Sequence, residues 1–157
     1  MVYIVEGART AFGTYGGMFK DVSAMDLAVT AVKGALERSN VDAKDVEEII
    51  IGNIIQTSAS SPYLARHIGL HSGLTNESRA FTLNRLCGSG MQSIISGAQS
   101  ILLGDADIIV AGGTENMTQA PRLLQDTRFG TPNKVPRVDD MLWGTLTDNY
   151  IGCGMGI

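Results

Sequence analysis

The sequence predicts an α/β fold with a mainly parallel sheet and helices on both faces. Two observations carry that prediction. Apolar runs of strand length alternate along the chain with segments of helical period, in the order strand, helix, strand, helix, strand, helix, strand. The runs at 48–55 and 107–111 also lack polar alternation, as strands buried on both faces require. Crossovers in such a sheet are right-handed, and ligands sit beyond the carboxyl ends of its strands.

Val2-Tyr3-Ile4-Val5 reads as a first short strand, and residues 7–17, rich in Gly and Thr, as a loop. Ser23 with Asp26 three positions later resembles a capping box with Asp in the acidic place. Leu27, Ala28, Ala31, Val32, Ala35 and Leu36 then form one helical stripe that ends near Asn40. The run Glu48 to Ile55 is the second strand. Ser61-Pro62 starts the next helix, with an N-cap residue followed by proline at the first helical position, and that helix runs to about Gly69. A third strand spans 79–86. Beyond Cys87 and its Gly-Ser-Gly bend, Met91, Ile94, Ile95, Ala98, Ile101 and Leu102 recur at helical spacing until Gly104 stops them. Asp107 to Ala111 is the fourth strand, closed by Gly112-Gly113. From Thr118 onward, Pro121, Pro132, Pro136, Gly130 and Gly144 interrupt a polar stretch without a clear period.

Composition bounds the function. The chain has 157 residues, 44% hydrophobic and 18% charged, which suits one soluble globular core. A net charge of −4 leaves no basic excess to neutralise phosphates, so a general nucleic-acid binder is excluded. The opening apolar run reaches only Val5 before Glu6 and is too short for an export signal. The uncharged stretch from Cys87 to Gly104 carries Gln92, Ser93, Ser96, Gln99 and Ser100 and is short for a membrane span. Burial on several sides explains it better, and a cytoplasmic location is expected. Two widely separated cysteines make neither a disulfide framework nor a metal site, and they suit a reducing compartment. His67 and His71 have helical i, i+4 spacing but no accompanying glutamate or cysteine, so no metal is expected. Arg122, Arg128, Lys134 and Arg137 read as a solvated basic loop.

Cys87 is the candidate nucleophile. It stands where a strand turns into a helix, beside unpaired N–H groups and the positive end of the helix dipole, which favour a thiolate. The glycines next to it let a substrate approach the backbone. A buried, inert cysteine is the ordinary alternative. A dinucleotide-binding oxidoreductase half-domain is another, since Gly88-Ser89-Gly90 opens a G-x-G-x-x-G pattern. Ser93 takes its third glycine, however, and Asp105 and Asp107 precede the next strand instead of ending it.

The segment Asn84-Arg85-Leu86-Cys87-Gly88-Ser89-Gly90-Met91-Gln92-Ser93-Ile94 resembles the nucleophile segment of the thiolases, among them the acetyl-CoA acetyltransferases. Residues 8–13 (ARTAFG), Ala65-Arg66, residues 112–117 (GGTENM), residues 144–148 (GTLTD) and Met155-Gly156 agree in order and spacing, so the resemblance covers the whole chain.

That resemblance implies a thiolase-like N-terminal half. Residues 1–117 would be its α/β core, and 118–157 the start of a CoA-covering loop domain within which the chain ends. The nucleophile helix would be buried between the sheets of two similar, stacked α/β halves of the full fold, and the enzyme would be a homodimer or homotetramer. Cys87 would take an acyl group from acetyl-CoA as a thioester, and the enolate of a second acetyl-CoA would attack it to give acetoacetyl-CoA, or the reverse. The Cys87 backbone N–H would help hold the oxyanion, and Leu146 and Met155 would line the pantetheine channel. CoA thioesters would be substrates, with no resident cofactor. The family's catalytic histidine, acid/base cysteine and oxyanion-hole asparagine would belong to a C-terminal half outside these residues, so a binding or assembly fragment without turnover is a further alternative. Gly154 departs from the histidine that many acetyl-CoA acetyltransferases carry there.

Overall fold

A computed structural model describes residues 1–130 and 135–155. Pro132, Lys134 and Gly156 lie outside the described residues. Helix α1 (Ala24–Ser39) begins at Ser23, whose Oγ accepts the Asp26 N–H and donates to the Asp26 carboxylate. It ends at Asn40, which takes a left-handed conformation (φ 55°) suited to a C-cap. Strand β1 (Glu48–Gly52) follows, then α2 (Leu64–His71). The expected Ser61-Pro62 start of that helix forms only a 3-10 turn over Ser61–Tyr63, and Ser61 does not cap α2, because its Oγ accepts the Ser58 N–H behind it. Strand β2 (Arg79–Leu83), helix α3 (Ser89–Leu103) and strand β3 (Ile109–Gly113) complete the core.

The three strands form one parallel sheet in the order β2-β1-β3, with Ile50 opposite Phe81 on one side and Ala111 on the other. Strand β1 is central, and all five of its residues are buried. Alternation along it feeds two layers. Ile49 and Ile51 pack with Ala28 and Val32 of α1 and with Leu64, Ala65 and Ile68 of α2. Ile50 and Gly52 face α3 on the other side. Ile50 and Ile68 are fully enclosed, so the core sits where the helical and strand periods coincide.

Helix α3 lies close to the sheet because small residues meet it. A side chain added at Gly52 would strike the Ser89 backbone at 2.6 Å, and one at Gly97 would press on Ile109. Ser93 is fully buried, and its Oγ donates to the Gly112 carbonyl. The place that a dinucleotide fingerprint reserves for glycine is thus a hydroxyl bonded to the sheet.

The first expected strand is absent. Val2 to Val5 joins no ladder among the described residues, and Ile4 is 83% exposed. Its β-branched pattern is suited to a strand, but both neighbours of β1 are already taken and the segment bonds to neither outer edge. A strand without a partner does not form. Within the described residues the sheet covers one side of α3, while Met91 (63%) and Leu103 (77%) are exposed; the burial that the resemblance implies lies between two halves, of which these residues are one. The expected strand from Glu48 to Ile55 stops at Gly52, because Asn53 to Ile55 turn toward a different partner.

After Ala120 the structure is made of small antiparallel pairs. Strand β4 (Arg122–Leu124) pairs with β5 (Val138–Asp140), supported by ion pairs from Arg122 to Asp140 and from Arg137 to Asp139, each 3.2 Å. Helix α4 (Met141–Leu146) is capped by the Asp140 carboxylate, and β6 (Thr147–Asp148) pairs with β7 (Cys153–Gly154). No helix among the described residues is long and apolar enough to cross a membrane.

Candidate active site

The carboxyl ends of the three parallel strands converge on one side of the sheet, and each contributes a loop. Asn53 to Ile55 follow β1, Asn84 to Gly88 follow β2, and Thr114 to Asn116 follow β3. Backbone bonds tie them: Asn53 N–H donates to Leu83 C=O and Thr114 N–H to Gly52 C=O, both 3.0 Å.

Cys87 lies in the middle loop, exposed, two residues before α3 begins. The helix has no side-chain cap at Gly88, so beyond Ser89 its first-turn N–H groups are left facing the end where the thiol stands. The preceding residue, Leu86, has φ 48°. A left-handed leucine costs on the order of 1–2 kcal/mol and persists only where its surroundings dictate it. Here they do. The Leu86 N–H donates to Asn84 Oδ1 at 2.9 Å, and its carbonyl accepts both the Ser89 N–H (2.9 Å) and the Ser89 Oγ–H (2.6 Å). Ser89 Oγ in turn accepts the Arg85 N–H at 2.8 Å. The serine that fills the middle of the Gly-Ser-Gly bend thus locks the turn that presents Cys87.

Glu115 fastens the first and third loops together. Its Oε2 accepts the Ile54 N–H (2.9 Å), while Oε1 accepts the Ile55 N–H (3.1 Å) and the Asn53 side-chain amide (3.0 Å). Burial pushes its carboxyl up from the ordinary 4.5, and these hydrogen bonds pull the other way. A carboxyl raised in the fold contributes stability that is full below its ordinary value and is lost as pH rises through the raised one. The melting temperature of the wild-type chain relative to a Glu115→Gln variant is therefore expected to fall as pH rises across that window. A difference that widens with pH would contradict it.

The neighbours of Glu115 hold a further segment. Thr114 Oγ1 donates to the Ala24 carbonyl, and the Asn116 amide donates to the Phe19 and Val22 carbonyls.

The structure places Leu146 and Met155 together, the Met155 N–H donating to the Leu146 carbonyl at 2.7 Å where the β6–β7 pair begins and ends. Among the described residues, no hydrogen bond joins either to the Cys87 turn. His67 stacks on Tyr63 with ring centroids 5.9 Å apart, and His71 is exposed. A cavity of about 140 Å³ opens between the starts of α1 and α2, walled by Ser23, Asn53, Ser61, His67 and Gln119, and Cys87 is not part of it.

An exposed thiol after a parallel strand, held by a strained turn at an uncapped helix start, agrees with a family-level match: residues 2–157 fit the thiolase N-terminal domain. The chain belongs to the thiolase family. It is 46% identical to the mitochondrial 3-ketoacyl-CoA thiolase of Mus musculus over 157 residues, covering 99% of this chain and 40% of that protein. It is 40% identical to the acetyl-CoA acetyltransferase of Syntrophomonas wolfei over 159 residues, again 99% of this chain and 40% of the relative. The solved human mitochondrial 3-ketoacyl-CoA thiolase in complex with CoA superposes with a TM-score of 0.92 at 45% identity, covering 96% of this chain and 39% of that one. The chain thus spans about 40% of the length of the thiolases it matches.

Several residues of this candidate site carry little signal in the sequence. Glu115, Asn84 and Ser89 are visible only as letters within longer motifs, and Asn53 carries no signal of its own. The available hint was positional, since Glu115 follows a strand end in a Gly-Gly-Thr-Glu-Asn run.

Proposed function

We propose that this chain supplies the nucleophile half of a thiolase that carries an acyl group on Cys87. The observation that supports it most is the exposed Cys87 thiol on a locked turn at the start of α3. The Cys87 sulfur attacks the carbonyl of acetyl-CoA, CoA leaves as its thiolate, and an acetyl-cysteine remains. A second acetyl-CoA loses an α-proton, balanced by the proton that the released CoA thiolate gains, and its enolate attacks that thioester; the carbon–carbon bond forms, and Cys87 departs as a thiolate to give acetoacetyl-CoA. The reverse sequence is thiolysis. The Cys87 N–H, fixed by the turn, donates to the developing oxyanion. Residues 1–117 form the core, and 118–157 begin the loop domain that covers CoA, with Leu146 and Met155 along the pantetheine. The thioester enters as substrate, so no resident cofactor is needed. The complete enzyme is a homodimer or homotetramer in the cytoplasm. A fragment that binds or assembles without turnover is the reading left if no acyl-enzyme forms.

The names of the relatives favour a second reading of the substrate. The mouse protein, named a 3-ketoacyl-CoA thiolase, is more similar to this chain than the acetyl-CoA acetyltransferase of S. wolfei. Thiolysis of longer 3-ketoacyl-CoA is therefore the alternative to acetyl condensation. Incubating a chain completed to full thiolase length with acetyl-CoA, then mapping the adduct by mass spectrometry, tests the proposal. Acetylation confined to Cys87 is expected, and its absence would overturn it. Thiolysis rates for 3-ketoacyl-CoA of four to about sixteen carbons then separate the two substrates. A maximum at acetoacetyl-CoA supports condensation, and one at longer chains supports the alternative.

A further inference from the structure

We propose that Glu115 is a positioning residue for Cys87, acting through Ile54, Asn84 and Leu86; this rests on the reading of Cys87 as the acyl carrier. The bonds form an unbroken relay. Glu115 Oε2 accepts the Ile54 N–H at 2.9 Å. The carbonyl of the same Ile54 accepts the Asn84 amide at 3.4 Å. Asn84 Oδ1 accepts the Leu86 N–H at 2.9 Å, and Leu86 is the left-handed residue that aims Cys87. Asn84 therefore uses both ends of its side chain, one to reach the loop after β1 and one to set the nucleophile turn.

Two features separate this from simple bracing of loops. The first is the choice of a carboxylate. Three donors converge on Glu115, from Asn53, Ile54 and Ile55, and only a group with two acceptor oxygens satisfies all of them. A glutamine would set its own donor against one of these donors. Burial penalises the charged form here, so the arrangement is kept at a cost in stability. The second is direction. Glu115 takes up the N–H groups of 54 and 55, which turns the Ile54 carbonyl toward the β2 loop and makes it available to Asn84. The residue thus orients an acceptor that the Cys87 turn uses, although it is separated from that turn by Ile54 and Asn84.

The test compares wild type with Glu115→Gln, Asn84→Ala and the double variant. Three readouts are taken: iodoacetamide labelling of Cys87 with Cys153 of the same chain as internal reference, amide hydrogen exchange at Leu86, and the thermal melt. Glu115→Gln is expected to melt cooperatively, to slow Cys87 labelling about tenfold while leaving Cys153 unchanged, and to speed Leu86 exchange about tenfold. The double variant should be no worse than Asn84→Ala alone, as members of one relay require. If Glu115→Gln does not melt cooperatively, Glu115→Asp, whose carboxylate is drawn back by one methylene, is held to the same criteria. Leu86 exchange unchanged from wild type in the variant that folds would overturn the inference, as would additive losses in the double variant. Wild-type Cys87 that labels no faster than Cys153 would instead count against the acyl-carrier reading, while Leu86 exchange would still decide the relay.

Discussion

In a chain completed to full thiolase length, Cys87→Ala is expected to lower kcat on the order of 10⁴-fold or more, the scale seen when a covalent nucleophile is removed. The thermal melt should hardly move. Cys87 is exposed and, among the described residues, its side chain makes no hydrogen bond, so its removal leaves no buried group unpaired and opens no cavity. The pairing of a large catalytic loss with an unchanged melt is the signature, because destabilisation of the turn would affect both. Cys153→Ala serves as the control. That residue is also exposed, on a two-residue strand, and its loss should leave the rate within about twofold, as for other surface substitutions. Turnover by Cys87→Ala within tenfold of wild type would end the covalent reading.

The second large effect is on stability. Gly52→Ala adds one carbon at the end of the central strand, and that carbon would lie 2.6 Å from the Ser89 carbonyl carbon and 2.8 Å from the Gly90 nitrogen. These are backbone atoms of the first turn of α3, which no rotamer change can move aside. Either the strand or the helix must shift, and overpacking of this kind costs about 1–3 kcal/mol, more where backbone is involved. For a chain of this size the melting temperature should fall by roughly 2–12 °C. Because the helix start carries the Cys87 turn, labelling of Cys87 should change in the same variant. A Gly52→Ala chain that melts within about 1 °C of wild type would show that the strand and helix are not in the contact described.

Most of the core was legible because its determinants are local. The Ser23 cap, the apolar stripe of α1 and the uninterrupted isoleucines of β1 each act within a few residues of themselves, and all of these elements form, whereas the Ser61-Pro62 start yields only a 3-10 turn ahead of α2. The Cys87 bend was legible for the same reason. Val2 to Val5 misled because periodicity reports a residue's preference and not whether a neighbouring strand exists to satisfy it. The long uncharged helix differs, since an apolar surface records that something covers it without placing that cover within these residues. Glu115 was invisible for a different reason. Its partners are backbone N–H groups about 60 residues away, and a backbone donor leaves no mark on composition. Leu86 reversed an expectation, since left-handed positions ordinarily call for glycine or asparagine. Asn84 stands two residues earlier and supplies its amide from there.

The two faces of the sheet differ in how they respond to change over the life of a lineage. On the side of α1 and α2, Ile49, Ile51, Ile68 and Leu74 interlock as aliphatic side chains, and exchanges of similar volume there are absorbed by neighbouring rotamers. On the side of α3 the contact at Gly52, Gly90 and Gly113 is main chain against main chain, with no deformable side chain between. The sulfur of Cys87 is therefore referenced to the rigid face, while the adaptable face lies on the far side of the sheet. Sequence can drift freely in one layer without detuning the position of the nucleophile in the other, so this division lets a thiolase core diversify while its chemistry stays in register.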